Sequence, residues 1–397
     1  MMRSLVVKVR VLTGLVAVAD FVFGATFVTF MGQRGLEAAM IGGLLALPAV
    51  TALLLDTPSG AWGDRFGHKR LVSGGLLVWG VGLVVFSLAA SPAVFAVAIL
   101  LWTAGLALHS GASTALLVNT LNAHGAAEHG DTAIRGTETI RWTAAAAGAI
   151  LVALGGRAAT DGLAIALAGA LLVAAAVWVT FAWPDSPRRA ATPIGRSILQ
   201  GVRVVGSRRA RMLLLFGMLT SIDLGIVILT WQPMATDIVG VEDGLLGVVL
   251  LVLSLAIAAG AGATHGTRRL PATGVLAVAL TVLNIGLGAV LLGTAGAIVA
   301  YVLAEVMLGV ALTTLAVWAQ ALFPDVIRAT ATSVLATATG VTLAVTNGIM
   351  GPLWGAIGLT EAVAAAAGVV LVLVAAGAAH ALRRAARRRV PASAAPR

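Results

Sequence analysis

The chain has 397 residues, of which 59% are hydrophobic and only 11% charged, against roughly 25% charged in soluble domains. That balance excludes a soluble globular protein, which would expose large apolar patches in water. The net charge of +10 does not imply nucleic acid, because the basic residues lie between apolar runs rather than along one face. The sequence contains no cysteine, so disulfides and thiolate metal sites are out.

Arg3, Lys8 and Arg10 precede a long apolar run from Val11 to Met31. The run exceeds a signal-peptide core and is followed by no evident cleavage site, so it reads as a first span. Apolar segments of the roughly 17–25 residues needed to cross a bilayer then recur, at 11–31, 38–55, 71–90, 93–118, 140–156, 162–183, 212–234, 245–264, 271–292, 298–322, 329–357 and 362–382. This predicts an all-α membrane protein of twelve transmembrane helices. The fifth span carries Glu138 and Arg141 near its start, at a spacing that lets them pair on one helix face. Trp178, Trp183 and Trp231 lie near span ends and read as interfacial anchors.

Of the 26 lysines and arginines, only Arg34 and Arg157 fall on the side opposite the N-terminus when the spans alternate. The positive-inside rule then places both termini in the cytoplasm and the chain in the inner (plasma) membrane. The expected organisation is a six-helix half over 1–183, a basic cytoplasmic linker over 184–211, a second six-helix half over 212–382 and a basic tail over 383–397. In the linker, Ile198, Leu199, Val202 and Val205 suit one face of a short interfacial helix; the alternative is a solvated basic tether. The halves resemble one another. GDRFGHKRLV (63–72) aligns with GATHGTRRLP (262–271), and DTAIRGTETI (131–140) with PDVIRATATS (324–333), at nearly the same interval. This is the parallel repeat expected of a transporter with two six-span halves.

Between spans 2 and 3 the sequence reads DTPSGAWGDRFGHKR (56–70). Gly60, Asp64, Arg65, Gly67 and Lys69 match in spacing the loop signature of the major facilitator superfamily, with His68 where arginine is usual, and Arg70 closes the basic pair. The whole chain resembles that superfamily. Its first half also resembles uncharacterised permeases with a Pro-Thr-Gly-type motif before this loop, here DTPSG (56–60). SGASTALLVNTL (110–121) ends span 4 in the same manner, with Asn119 where aspartate is common. Physically, Gly60 and Gly67 permit a tight turn, and Asp64 at a helix end suits the positive N-terminus of span 11 near Arg328. These residues are the candidate gate; a static turn is the alternative.

Asp20, His109, Asp223 and Glu305 lie within spans 1, 4, 7 and 10, which are the cavity-lining helices in the family resembled. Intramembrane acids cost ~2.5–3.5 kcal/mol on insertion scales and are kept where they face a wet cavity or a partner. Carboxyls of this kind suit reversible protonation. With no lysine or arginine at a span centre, the cavity is expected to be negative or protonated. Asn284, Asn347, Gln232 and Tyr301 read chiefly as packing or interfacial groups. Span 11 holds GIMGPLWG (348–355), similar to a pattern that antiporters carry in span 5; span 5 here has GAILVALGG without proline.

The expected function is proton-coupled efflux of a small cationic or neutral amphiphile by a monomeric transporter, with protons and the bilayer as its other partners. No metal or organic cofactor is expected; the proton gradient supplies the energy. Proton-coupled uptake is the alternative, and a non-transporting membrane sensor a more distant one. An intramembrane enzyme would need clustered acids binding magnesium, and a nucleotide-driven pump a Walker loop. The sequence has neither.

Overall fold

The computed structural model describes residues 2–123, 130–155, 162–183, 194–208, 210–267, 269–323 and 328–389. Among these, the regular structure is helical throughout. The first eight helices are α1 (Met2–Gly24), α2 (Phe27–Gln33), α3 (Ala38–Leu44), α4 (Leu47–Phe66), α5 (His68–Ser87), α6 (Pro92–Ala123), α7 (Gly130–Gly155) and α8 (Leu163–Ala182). A linker helix α9 (Ile194–Val205) follows, then α10 (Arg211–Pro233), α11 (Leu246–Ala263), α12 (Ala272–Gly288), α13 (Thr294–Leu322), α14 (Arg328–Ile357) and α15 (Leu359–Arg389). Ten described segments are long and apolar enough to cross a membrane. Two shorter apolar helical stretches, Ala38–Thr51 and Thr143–Gly155, fall where the second and fifth spans are expected.

Helices are the only open-ended way to satisfy every backbone group in hydrocarbon, and their boundaries follow from local chemistry. Pro92 opens α6, where its missing N–H costs nothing. Gly67 (φ +94) makes the reversal between α4 and α5, a backbone conformation that side chains other than glycine rarely adopt. The signature segment is therefore not a loop of several residues. Gly60, Asp64 and Arg65 lie on the last turns of α4, and Gly67 alone makes the turn.

Small residues set the closest approaches, as expected where helices pack in lipid. A Cβ at Gly80 would come within 2.6 Å of Gly169 O, and one at Gly82 within 2.5 Å of Trp102 N, so α5 lies backbone to backbone on α8 and α6. Phe23, Phe86 and Phe95 fill the space between α1, α5 and α6, with ring centroids 5.0 and 4.9 Å apart in successive edge-on pairs.

Helices α1–α8 pack chiefly on one another, and α10–α15 do the same. The two groups meet where α14 crosses α3 and α4, where α7 meets α11, and where α10 meets α2. The residues in closest approach (Gly24 to Leu45 against Gln232, Asn347 and Gly351, and Ala149 to Ala153 against Gly247) lie near the helix ends away from the N-terminus of α1. We call this the outer end. It is shut in this conformation.

The linker carries helix α9, which packs on α14. Val205 is buried there, while Leu199 and Val202 are exposed; Ile198 lies outside the described side chains. Two tryptophans differ from expectation. Trp183 and Trp231 are only 4% and 6% exposed, buried among protein side chains rather than set in an interfacial belt. Trp183 packs edge-on against Trp178 at 5.6 Å.

Candidate functional site

Asp20 lies on α1, four residues before that helix ends. Ala19, Val22 and Phe23 on neighbouring faces are buried in the core, which leaves Asp20 half-buried on the remaining face. One turn further, Gly24 has open space where a side chain would stand. Across from it runs α7, parallel to α1. Gly14 faces Ile140 and Ala144, and Gly148 faces Val18 and Phe21.

This packing corrects one reading of the sequence. Arg141 is not a basic residue of the membrane face alone. It sits near the middle of α7, exposed within the bundle, and acts electrostatically on both Asp20 and His109. The first half thus sets an arginine within electrostatic reach of an aspartate and a histidine, a mixed-charge group rather than a purely acidic one. The sequence reads Arg141 as a basic residue at the start of the fifth span, spaced to pair with Glu138, and nothing in that spacing links it to α1 or α6.

His109 is placed by the tight seam between α5 and α6, where a Cβ on Gly75 would lie 2.9 Å from His109 N. The residue is 8% exposed, and its ring stands 6.1 Å from the Trp79 ring with Nδ1 left without a hydrogen-bond partner.

Asp223 departs from expectation. It is fully buried, turned toward α12 rather than into a wet cavity. Its Oδ2 accepts from Asn284 Nδ2 at 3.1 Å, and the same nitrogen donates to Leu280 O at 2.9 Å. Asn284 is therefore the polar partner that makes a buried acid on α10 tolerable. Glu305, on α13, is half-buried. Tyr301, one turn before it, is buried and hydrogen-bonded to Thr230 on α10.

The structure thus brings Asp20, His109 and Arg141 into one neighbourhood and leaves Asp223 in a separate buried pair. In the candidate gate, His68 is buried, Lys69 half-buried and Arg70 exposed at the start of α5. The side chains of Asp64, Arg65 and Arg328 lie outside the described residues. No group of acids and histidines able to hold a metal occurs among the described residues.

Other recesses lie elsewhere. An apolar groove of about 220 Å³ runs between α10, α11 and α13, with Trp231, Leu253 and Tyr301 in its wall. A polar recess of about 360 Å³ at the outer end is lined by Thr29, Gln33, Asp237 and Asp243.

A multi-pass helical bundle, shut at one end and with ionisable side chains turned inward, has the build of a membrane transporter. The family model described as Major Facilitator Superfamily matches residues 11–347, and the chain belongs to that superfamily. Its members are transporters rather than enzymes, and this chain is a transporter. No curated protein matches it in sequence. Among solved structures, a mutant of the nucleoside transporter NupG aligns with a TM-score of 0.83 at 13% identity, covering 94% of this chain and 99% of that one. A bacterial homologue of the human lysosomal transporter Spinster, inward-facing and unoccupied, gives 0.73 at 15% identity over 94% and 95%. A POT family transporter in complex with a thioalcohol-conjugated peptide gives 0.76 at 12% over 95% and 96%. At these identities the likeness is one of fold.

Proposed function

We propose that the chain exports a small cationic or neutral amphiphile in exchange for protons, by alternating access around a site that includes Asp20. The observation that supports this is the half-buried Asp20 within electrostatic reach of Arg141, beside the open space at Gly24. An ionised Asp20 is held by the guanidinium. A proton neutralises it and frees the arginine; a cationic group on a substrate competes for the same carboxylate. Proton and substrate then exclude one another at one group, and that exclusion is what exchange requires. Glu305 on α13 offers a second acid from the other half, and His109 lies within electrostatic reach of Arg141. The fastening role falls to Asp223 with Asn284. Asp64, Arg65, Gly67 and Arg328 gate the cytoplasmic end, with the basic residues Lys69 and Arg70 facing that compartment and both termini on the same side.

Inside-out vesicles with an acidic lumen test this. They should accumulate a fluorescent cationic dye and release it when the gradient is dissipated. Accumulation indifferent to pH would end the proton coupling, and dye that follows protons in the same direction would assign uptake instead.

A further inference from the structure

Both of the first two spans are interrupted near the outer end. Span 1 stops at Gly24 and restarts as α2 at Phe27; span 2 stops at Leu44 and restarts as α4 at Leu47. A helix break leaves N–H and C=O groups without intrahelical partners, and hydrocarbon offers no water to satisfy them. The usual remedy is a capping side chain just before the new helix. Thr26 stands in that position and does not cap, because its hydroxyl donates backward to Val22 O at 3.2 Å.

The missing cap comes from the opposite half of the molecule. Gln232, on α10 and fully buried, accepts at Oε1 from Val28 N (3.0 Å) and Thr29 N (2.9 Å) and donates from Nε2 to Gly24 O (2.9 Å). One amide thus serves both sides of the break. At the second interruption Asn347, on α14 and also fully buried, donates from Nδ2 to Leu45 O at 3.1 Å.

We infer that Gln232 and Asn347 are the positioning residues that close the outer end, acting as helix caps supplied in trans to the two broken spans. The arrangement explains how such a closure can be reversible. When the halves part, the same backbone groups meet cavity water, and a water-mediated partner is nearly as good as a direct one. Closing exchanges water for an amide, and opening exchanges it back. Without the amide, the backbone groups go unsatisfied in the closed state only, so the population shifts toward the open one.

The test needs neither a substrate nor a proton gradient, so it stands apart from the coupling proposed above. The chain contains no cysteine, which makes Ile41→Cys a single reporter at the closed end, where Ile41 is 2% exposed. Its maleimide labelling rate is measured on purified protein in nanodiscs, where both faces are open to reagent. Gln232→Leu should speed labelling by about tenfold, the effect of stranding buried polar groups. Asn347→Leu should act in the same direction, and more weakly. Labelling of folded, monodisperse variants at the parent rate or slower overturns the inference. If a leucine variant does not fold, Gln232→Glu and Asn347→Asp decide on the same readout. Each keeps its side chain's shape while losing the donor to Gly24 O or Leu45 O.

Discussion

Asp20 and Asp223 occupy matching depths in spans 1 and 7, yet only one of them remains reachable. Asp20 has open space at Gly24 and a guanidinium within electrostatic range. Asp223 has Asn284 against it and no exposure at all. Two repeats with a common plan have therefore placed the same functional group in opposite settings. A carboxylate that must exchange a proton with water needs the first setting; one that ties two helices together needs the second. The neighbour, more than the depth in the membrane, separates the two settings.

The comparison can be broken most directly at Asp20. Asp20→Asn should abolish gradient-driven accumulation of a cationic dye in vesicles while leaving insertion and yield unchanged. Normal accumulation would remove Asp20 from the proton path and turn attention to Glu305.

Arg141→Gln should reduce accumulation several-fold at neutral pH, with Arg141→Lys recovering most of it. Parent-like flux in the glutamine variant would mean that the arginine is only a topological anchor.

On the other side of the comparison, Asn284→Leu strips Asp223 of its donor. It should cost about 1–3 kcal/mol of stability, the usual penalty for stranding a buried polar group, read as a lower thermal midpoint in detergent. Proton coupling in the folded fraction should persist. Asp223→Asn should change least, since an amide can still pair with Asn284. Loss of coupling in that variant, with stability intact, would return Asp223 to the proton path.

The class of fold was legible because composition and the spacing of apolar runs are properties of the whole chain, and so was the position of the Gly67 turn. The orientation of single side chains was not legible. Nothing in the run around Asp223 announces that it turns toward α12, because the apolar helix α10 has no strong polar face to fix its rotation. Gln232 and Asn347 read as packing groups because their partners are backbone atoms some 200 and 300 positions away, and only for a backbone already broken at 24–26 and 45–46. Trp183 and Trp231 misled for the converse reason. A tryptophan near a span end suits a lipid headgroup and a protein interior equally well, and neighbours brought in by the fold decide between them.

The approach of α3 to α14 also has a bearing on sequence drift. A Cβ on Gly42 would stand 2.8 Å from Gly351 Cα, and one on Gly351 would stand 2.9 Å from Gly42 Cα. In each case the obstacle is main chain, so no smaller neighbour can be substituted to make room. A replacement at one position has no compensating partner at the other, unlike a pair of core side chains that trade volume. Gly32 and Gly43, with nothing within 4 Å of their missing Cβ atoms, are under no such restriction. In a saturation library selected for activity, Gly42 and Gly351 should stay invariant while Gly32 and Gly43 diversify.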